Sequence, residues 1–243
     1  MTRDILAVAW RETRELVLRD GRVTGNVAHG VFILFVGVFL PWQIGRPWVG
    51  AAWVSLLWVW IPLFLVTTIT ADSFAGERER HTLETLLATR LPDDAILLGK
   101  VVAAVGYVWL AMLVALPLSL LTLNFFHEGG ILLFSPEAVV GLAGVSLLAS
   151  LAGAAAGVLI SLRATSVRQA QQGLGVAMMV FFLMPLFMIP VLPPETRTRV
   201  AELLLTGDPT TLILPMAVAL AGLAIVLLLA AHARFRRDRL ILD

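Results

Sequence analysis

The sequence predicts an all-α polytopic membrane protein, and three observations lead to this fold class. The chain of 243 residues is 59% hydrophobic and 14% charged, with a mean hydropathy of +0.90. Its apolar residues occur in long runs rather than in alternation, so one soluble core could not bury them all. Six of these runs are long enough to cross a hydrocarbon core of about 30 Å, which takes about 20 helical residues.

The first predicted element is an amphipathic helix over residues 3–23, lying in the membrane interface. Charged side chains occupy one face, Val8 and Leu18 lie on the wrong side, and Trp10 is expected at headgroup depth. The alternative is a soluble helix that packs on another protein. The mostly apolar face consists of Ile5, Leu6, Ala9, Trp10, Thr13, Leu16 and Val17.

The six predicted spans follow in order. They lie near residues 27–45, 49–71, 96–123, 138–162, 170–192 and 210–232. Arg46-Pro47 separates the first two, which predicts a tight hairpin. A short helix from Glu195 to Leu205 is expected between the fifth and sixth spans, with Gly207 ending it and Asp208-Pro209 starting the next element.

The distribution of cationic side chains predicts the orientation. With six spans, fifteen arginine and lysine residues lie on the side of both termini and three on the other. This bias predicts a multi-pass protein of the cell inner (plasma) membrane with both termini in the cytoplasm. The formal net charge of +1 gives no support for a nucleic-acid partner.

The longest charged interval runs from Asp72 to Lys100, between the second and third spans. It predicts a short cytoplasmic helix over residues 74–91 that opens at Gly76 and ends before Pro92. Five charges in eight residues exclude this helix from lipid. Two interpretations are open: a solvated connector, or a helix that contacts a partner protein.

A resemblance to a known family favours the second interpretation, a helix that contacts a partner protein. Residues 74–89 read F-A-G-E-R-E-R-x-T-L-E-x-L-L-A-T, followed by I-L-L-G-K at residues 96–100. This pattern resembles the motif after the second span of ABC-2 type permeases, the membrane subunits of a class of ATP-binding-cassette transporters. His81 departs from it, since a glycine is usual there, and Arg90 lies near a common proline. The matching residues are Phe74, Gly76, Glu77, Arg78, Glu79, Thr82, Leu83, Glu84, Leu86, Leu87, Leu98, Gly99 and Lys100.

The resemblance implies an ABC-2 type exporter fold and a permease that works in pairs, with a second copy or a homologous permease, surrounded by lipid. A separate ATPase subunit would bind ATP and Mg²⁺ and dock on the 74–91 coupling helix. The residues implied in ATPase contact are Glu77, Arg78, Glu79, Arg80 and Glu84. Leu83, Leu86 and Leu87 are expected to pack the coupling helix against the spans. The cargo is not specified.

The chain itself contains no recognisable catalytic or metal-binding motif. HExxH and GxSxG are absent, and the four histidines lack the spacing of metal ligands. Residues 95–100 fail as a phosphate loop, because the leading glycine is missing and Val101 follows Lys100. Lys100 is instead expected to snorkel to the membrane edge. The chain is therefore predicted to have no enzymatic activity by itself and to bind no cofactor.

Two further functions and two interpretations of a glycine pattern are open from the sequence. The chain could be a non-transporting scaffold that recruits a cytoplasmic protein, or a passive channel. In the fourth span, Gly141, Gly144, Gly153 and Gly157 have small-xxx-small spacings. These glycines could form a moving or dimerising seam, or static packing inside one subunit.

Overall fold

The computed structural model describes residues 1–18, 30–82, 90–128 and 130–235. All regular secondary structure within these ranges is helical. The helices are α1 (Thr2–Leu18), α2 (Gly30–Ile44), α3 (Ala52–Glu79), α4 (Asp93–Phe126), α5 (Pro136–Ser161), α6 (Val167–Met188), α7 (Pro194–Thr206) and α8 (Pro209–Arg234). A turn of helix, Pro47–Gly50, precedes α3, and a 3₁₀ turn, Ile189–Val191, follows α6.

Five of these helices, α3, α4, α5, α6 and α8, are long and apolar enough to cross a membrane. They lie where the second to sixth spans were predicted, and the all-α polytopic fold class is confirmed. Three helices begin at a proline, at Pro136, Pro194 and Pro209. Proline suits this position because its missing N–H group has no helical partner there.

The first predicted span, residues 27–45, corresponds to a shorter helix in the described part of the chain. Helix α2 covers Gly30–Ile44, and the predicted start at residue 27 lies outside the described residues. Its middle, Phe35–Phe39, is a π-helical turn. There the Thr122 hydroxyl of α4 donates to the Gly37 carbonyl at 2.9 Å. A Cβ atom on Gly37 would lie 2.7 Å from Leu118 Cδ2, so glycine allows α2 and α4 to approach closely.

Helices α3, α4 and α5 form the centre of the bundle. In the most apolar windows of α3 and α5, 61% and 56% of the residues are buried, against 6% in α6 and 11% in α8. Glycines allow the close approach of α5 to its neighbours: Gly153 and Gly157 face α3, and Gly141 faces Ile213 of α8. For these three glycines the structure therefore supports packing inside one subunit over a seam between subunits.

The short helix between the fifth and sixth spans is confirmed as α7. Gly207 ends it, since the Gly207 N–H group donates to the Leu203 carbonyl at 3.0 Å. Asp208 then caps α8, and its carboxylate accepts from the backbone N–H of Thr210 at 2.9 Å. The backbone N–H and hydroxyl groups of Thr210 hold the pKa of Asp208 below its ordinary value.

Helix α1 packs lengthwise against α4, and this contact corrects one sequence prediction. Val8, which the helical period placed on the wrong side, is buried against Gly99 of α4. Leu6 and Trp10, predicted to share the apolar face, are 65% and 72% exposed. Helix α1 thus has two apolar surfaces. One packs on protein, and the other is available to lipid, as expected for an interfacial helix.

The predicted coupling helix over 74–91 is wrong in its first part. Residues 74–79 are the last turns of α3, which continues without a break from the second span to Glu79. A turn at Arg80 and His81 ends it, and residues 90–92 are not helical. The error has a local cause: the charges at residues 77–80 suggested that a new element begins there, although a helix leaving the membrane needs no break.

Candidate functional site

The C-terminal end of α3 meets α1, the start of α4 and the turn between α5 and α6. The charged motif that follows the second span lies at this junction. Its side chains form three sets of contacts, which lead to Lys100, to the α5–α6 turn and to solvent. Together they determine what the motif can do.

Lys100, the only lysine in the chain, is the centre of the first set. Its ammonium donates to Glu12 Oε1 of α1 at 2.8 Å and to Glu77 Oε1 of α3 at 2.9 Å. It also donates to the Ser73 carbonyl at 3.2 Å and lies 5.3 Å from the centre of the Phe74 ring. We call Glu12, Ser73, Glu77 and Lys100 the Lys100 cluster.

The Lys100 cluster is buried, which corrects a second sequence prediction. The Lys100 side chain is 2% exposed, and those of Glu12 and Glu77 are 17% and 12% exposed. Lys100 therefore does not snorkel to the membrane edge but joins α1, α3 and α4 from inside. Charges at this depth attract one another strongly, since little water screens them. Glu77 Oε2 is buried with no hydrogen-bond partner among the described residues.

Arg78 and Glu79 form the second set of contacts, with the α5–α6 turn. The Arg78 guanidinium donates to the carbonyls of Leu162, at 3.1 Å, and of Ala164, where α5 ends. Glu79 Oε2 accepts from the backbone N–H of Val167, where α6 begins, at 3.0 Å. A cation at a helix C-terminus and an anion at a helix N-terminus both complement the helix dipole. The two residues thus hold both ends of this turn.

Ser161, the last residue of α5, joins the same junction. Its side-chain oxygen accepts from the backbone N–H groups of Phe74 and Ala75 at 3.1 and 2.9 Å, and its hydroxyl donates to the Ala71 carbonyl at 3.1 Å. Ser161 is fully buried. A buried polar group of this kind is stable only when it is hydrogen-bonded, so Ser161 determines where α3 and α5 meet.

The third set faces solvent at the end of α3. Arg80 is 49% exposed, and its guanidinium lies 3.5 Å from Asp72 Oδ1. His81 has a φ of +57°, in the left-handed region. The Thr82 N–H donates to the Glu77 carbonyl at 2.9 Å, and the His81 N–H donates to the Arg78 carbonyl at 3.1 Å. These two bonds form a Schellman motif, in which the left-handed residue is usually glycine.

We expect His81→Gly to raise the free energy of unfolding by about 1 kcal/mol, because a left-handed conformation costs other residues about 1–2 kcal/mol. Arg80→Gly, one residue earlier at a φ of −86°, is the matched control and should give no such gain. Thermal unfolding of both variants in detergent measures the difference. An equal effect of the two substitutions would contradict the role of His81.

The predicted site residues thus divide into groups. Glu77, Arg78 and Glu79 have intramolecular partners, and Arg80 is exposed at the turn. Glu84, Leu83, Leu86 and Leu87 lie outside the described residues, so their predicted roles stay predictions. Direct ATPase contact by Glu77, Arg78 and Glu79 also stays a prediction. The sequence analysis did not identify Glu12 and Ser161 as members of this junction. The single lysine of the chain, which lies within the motif, was the one signal that could have pointed to the Lys100 cluster.

A comparison with known protein families gives a match that includes all the elements of this junction. The family model described as "ABC-2 type transporter" matches residues 3–193, from α1 to just beyond α6. The chain belongs to this family. A search of curated proteins gives no match. The match covers α1, the charged motif at the end of α3, the start of α4 and the α5–α6 turn, which meet at the junction.

Membership establishes the general function. This ABC-2 chain is a multi-pass membrane protein and a permease subunit of an ATP-binding-cassette transporter, a class in which an ABC ATPase subunit is the partner. The resemblance inferred from the 74–100 motif is confirmed at the level of the family. For the described residues, no group of His, Cys, Asp and Glu has the arrangement of a metal site.

Proposed function

We propose that two such permease subunits, two copies or this chain with a homologue, form an export path across the inner (plasma) membrane. A separate ATPase subunit binds ATP and Mg²⁺ and drives the pair from the cytoplasmic side. The end of α3 and the segment after it, residues 80–92, receive the ATPase. Both chain termini lie in the cytoplasm in this arrangement, in agreement with the arginine bias.

The observation that carries this proposal is the rigid attachment of the α3 end. Through Glu77, Arg78 and Glu79 it is connected to α1, α4, α5 and α6. A displacement of residues 80–82 is therefore transmitted to several helices at once rather than absorbed by a loose loop. A connector without this role needs no such attachment. This rigidity favours a transporter over a scaffold that only recruits a partner.

The surface of α3 and α6 supports the pairing. A groove of about 530 Å³ runs between them, with Trp60 and Phe64 at one side and Gln171 and Phe182 at the other. Trp60 packs against Phe181 and Phe182 at ring-centre distances of 5.4 and 4.9 Å. Thr67 and Thr68 add hydroxyl groups to the same groove. We propose that this mixed polar and aromatic surface faces the second permease across the path.

The exposed part of the motif provides the test of ATPase docking. We expect Arg80→Glu combined with Glu84→Lys to weaken ATPase binding more than tenfold, because losing a partner in a desolvated charge pair costs about 2–5 kcal/mol. Thermal stability of the permease should stay unchanged, since Arg80 is half exposed and its pair with Asp72 is long. Pull-down of the ATPase and a detergent melting curve measure the two effects.

Arg199→Glu, on the exposed surface of α7, is the charge-reversal control and should leave ATPase binding intact. Undiminished ATPase binding by the double variant would show that residues 80–92 only connect two spans. ATP hydrolysis by the purified chain alone would contradict the separate ATPase subunit. Transport without ATP, as a passive channel would give, would contradict the driven pair.

A further inference from the structure

Two cavities lie end to end on the side of the bundle formed by α1, α3 and α4. One is polar, with a volume of about 370 Å³, and the other is apolar, with a volume of about 300 Å³. Ile69 lines both, so the two cavities adjoin at this residue of α3. We infer that this combined groove binds a membrane phospholipid whose headgroup has a primary ammonium, such as phosphatidylethanolamine.

The combined groove is about as long as one leaflet of the hydrocarbon core is thick, and an acyl chain would lie in its apolar part. Along α4 the groove extends from Ala103 in the polar part to Val114 in the apolar part. At 1.5 Å per residue this distance is about 16 Å, roughly half of a hydrocarbon core of about 30 Å. The other walls of the apolar cavity include Phe32 and Ile33 of α2 and Leu65 of α3. A chain that enters from the side would lie parallel to the helices.

The polar cavity lies at the level of the interfacial helix, where a lipid headgroup lies. Its walls include the Lys100 cluster and the outer surfaces of Arg11 and Arg80. Each guanidinium has five N–H donors, and Arg11 uses its Nε–H group for Glu15, at 2.9 Å. The other donors of a guanidinium suit a phosphate group, which arginine binds through paired hydrogen bonds.

The charge of the polar cavity selects the rest of the headgroup. Its lining has four carboxylates and three cations, which leaves one negative charge in excess. Among these carboxylates, Glu15 is 55% exposed, and Glu12 and Asp72 are each 17% exposed. A primary ammonium offers three N–H donors and one positive charge to these carboxylates. The charged lining residues are Arg11, Glu12, Glu15, Asp72, Glu77, Arg80 and Lys100.

Phosphatidylethanolamine meets both requirements, since its phosphate suits the arginines and its ammonium suits the carboxylates. Phosphatidylcholine has the same net charge but no N–H donor. Phosphatidylglycerol has a hydroxyl-bearing headgroup and adds a second negative charge to a cavity that already has an excess. The site thus distinguishes three lipids with identical acyl chains. It does not depend on the proposed pairing or on ATPase docking.

The test is native mass spectrometry of the purified full chain with each of the three lipids in turn. We expect phosphatidylethanolamine to bind at least tenfold more tightly than the other two. Asp72→Asn removes the excess negative charge and should reduce the preference over phosphatidylglycerol to less than threefold. Ala111→Phe fills the apolar cavity and should weaken binding of all three lipids. Ala219→Phe, on the exposed surface of α8, is the matched control and should bind as the wild type does.

Equal binding of the three lipids would indicate unspecific annular lipid, and a preference for phosphatidylglycerol would indicate a site for anionic lipid. Either result would overturn the inference. Binding undiminished in Ala111→Phe would overturn the assignment of the apolar cavity. If Ala111→Phe lowers the melting temperature of the lipid-free chain, Val114→Trp provides a second block at the 54% exposed far end of the same groove. Full phosphatidylethanolamine binding by Val114→Trp would then overturn the assignment.

Discussion

Replacing Lys100 with methionine is expected to lower the free energy of unfolding by about 3–5 kcal/mol, the range for removing one partner from a buried ion pair. Methionine is similar to lysine in volume and one atom shorter, so packing changes little. It leaves Glu12 and Glu77 buried near each other with no cation between them. The two carboxylates then repel one another at a site that water screens poorly. Helix α1 should separate from α3 and α4.

The controls for Lys100→Met distinguish charge from shape. Arg11→Met removes a 62% exposed cation from the adjacent surface and should cost about 1 kcal/mol or less. The triple variant Glu12→Gln, Glu77→Gln and Lys100→Met has no charge left and should recover most of the lost stability. Chemical denaturation in detergent measures all three. A loss below about 1 kcal/mol in Lys100→Met would support the snorkelling lysine that the sequence predicted.

The spans could be predicted from the sequence because each is a local property. A run of about 20 apolar residues forms a membrane helix wherever its neighbours lie. The capping of α8 by Asp208 and the end of α7 at Gly207 are local in the same sense. Family membership was equally accessible, since the 74–100 motif is contiguous.

The junction was not predictable in the same way, because it depends on which helices are neighbours. Glu12 and Lys100 are 88 residues apart, and Arg78 and Leu162 are 84 residues apart. No helical period relates such pairs. Val8 was misjudged for the same reason: a helix with one apolar face was assumed, whereas α1 contacts α4 on one side and is exposed on another.

The junction also changes how the motif is expected to act. From the sequence, Glu77 to Arg80 formed one charged surface for an ATPase. In the structure Glu77 and Arg78 are half-buried whereas Glu79 and Arg80 are exposed. A charge reversal at Glu77 would place a second cation beside Lys100. Such a variant would lose folding and coupling together and could not separate them. Arg80, which is 49% exposed, offers a substitution that probes docking with little effect on folding.

Gly157→Ala is expected to lower the free energy of unfolding by about 1–3 kcal/mol, as overpacking in a dense core does. A Cβ atom on Gly157 would lie 2.7 Å from Thr70 Cβ and closer still to the Thr70 hydroxyl. Thr70 cannot simply rotate away, because its hydroxyl donates to the Val66 carbonyl at 2.9 Å and the residue is 1% exposed. Helices α3 and α5 must therefore separate, which disturbs the Ser161 contacts at their ends.

Gly144→Ala provides the matched control in the same helix. No atom lies within 4 Å of a Cβ placed on Gly144, so the substitution adds a methyl group to open space. Alanine is more favourable than glycine inside a helix by about 1 kcal/mol, so Gly144→Ala should be neutral or stabilising. Melting curves of the two variants in detergent should move in opposite directions. Equal shifts would mean that the small-residue spacing of α5 has no role in its packing against α3.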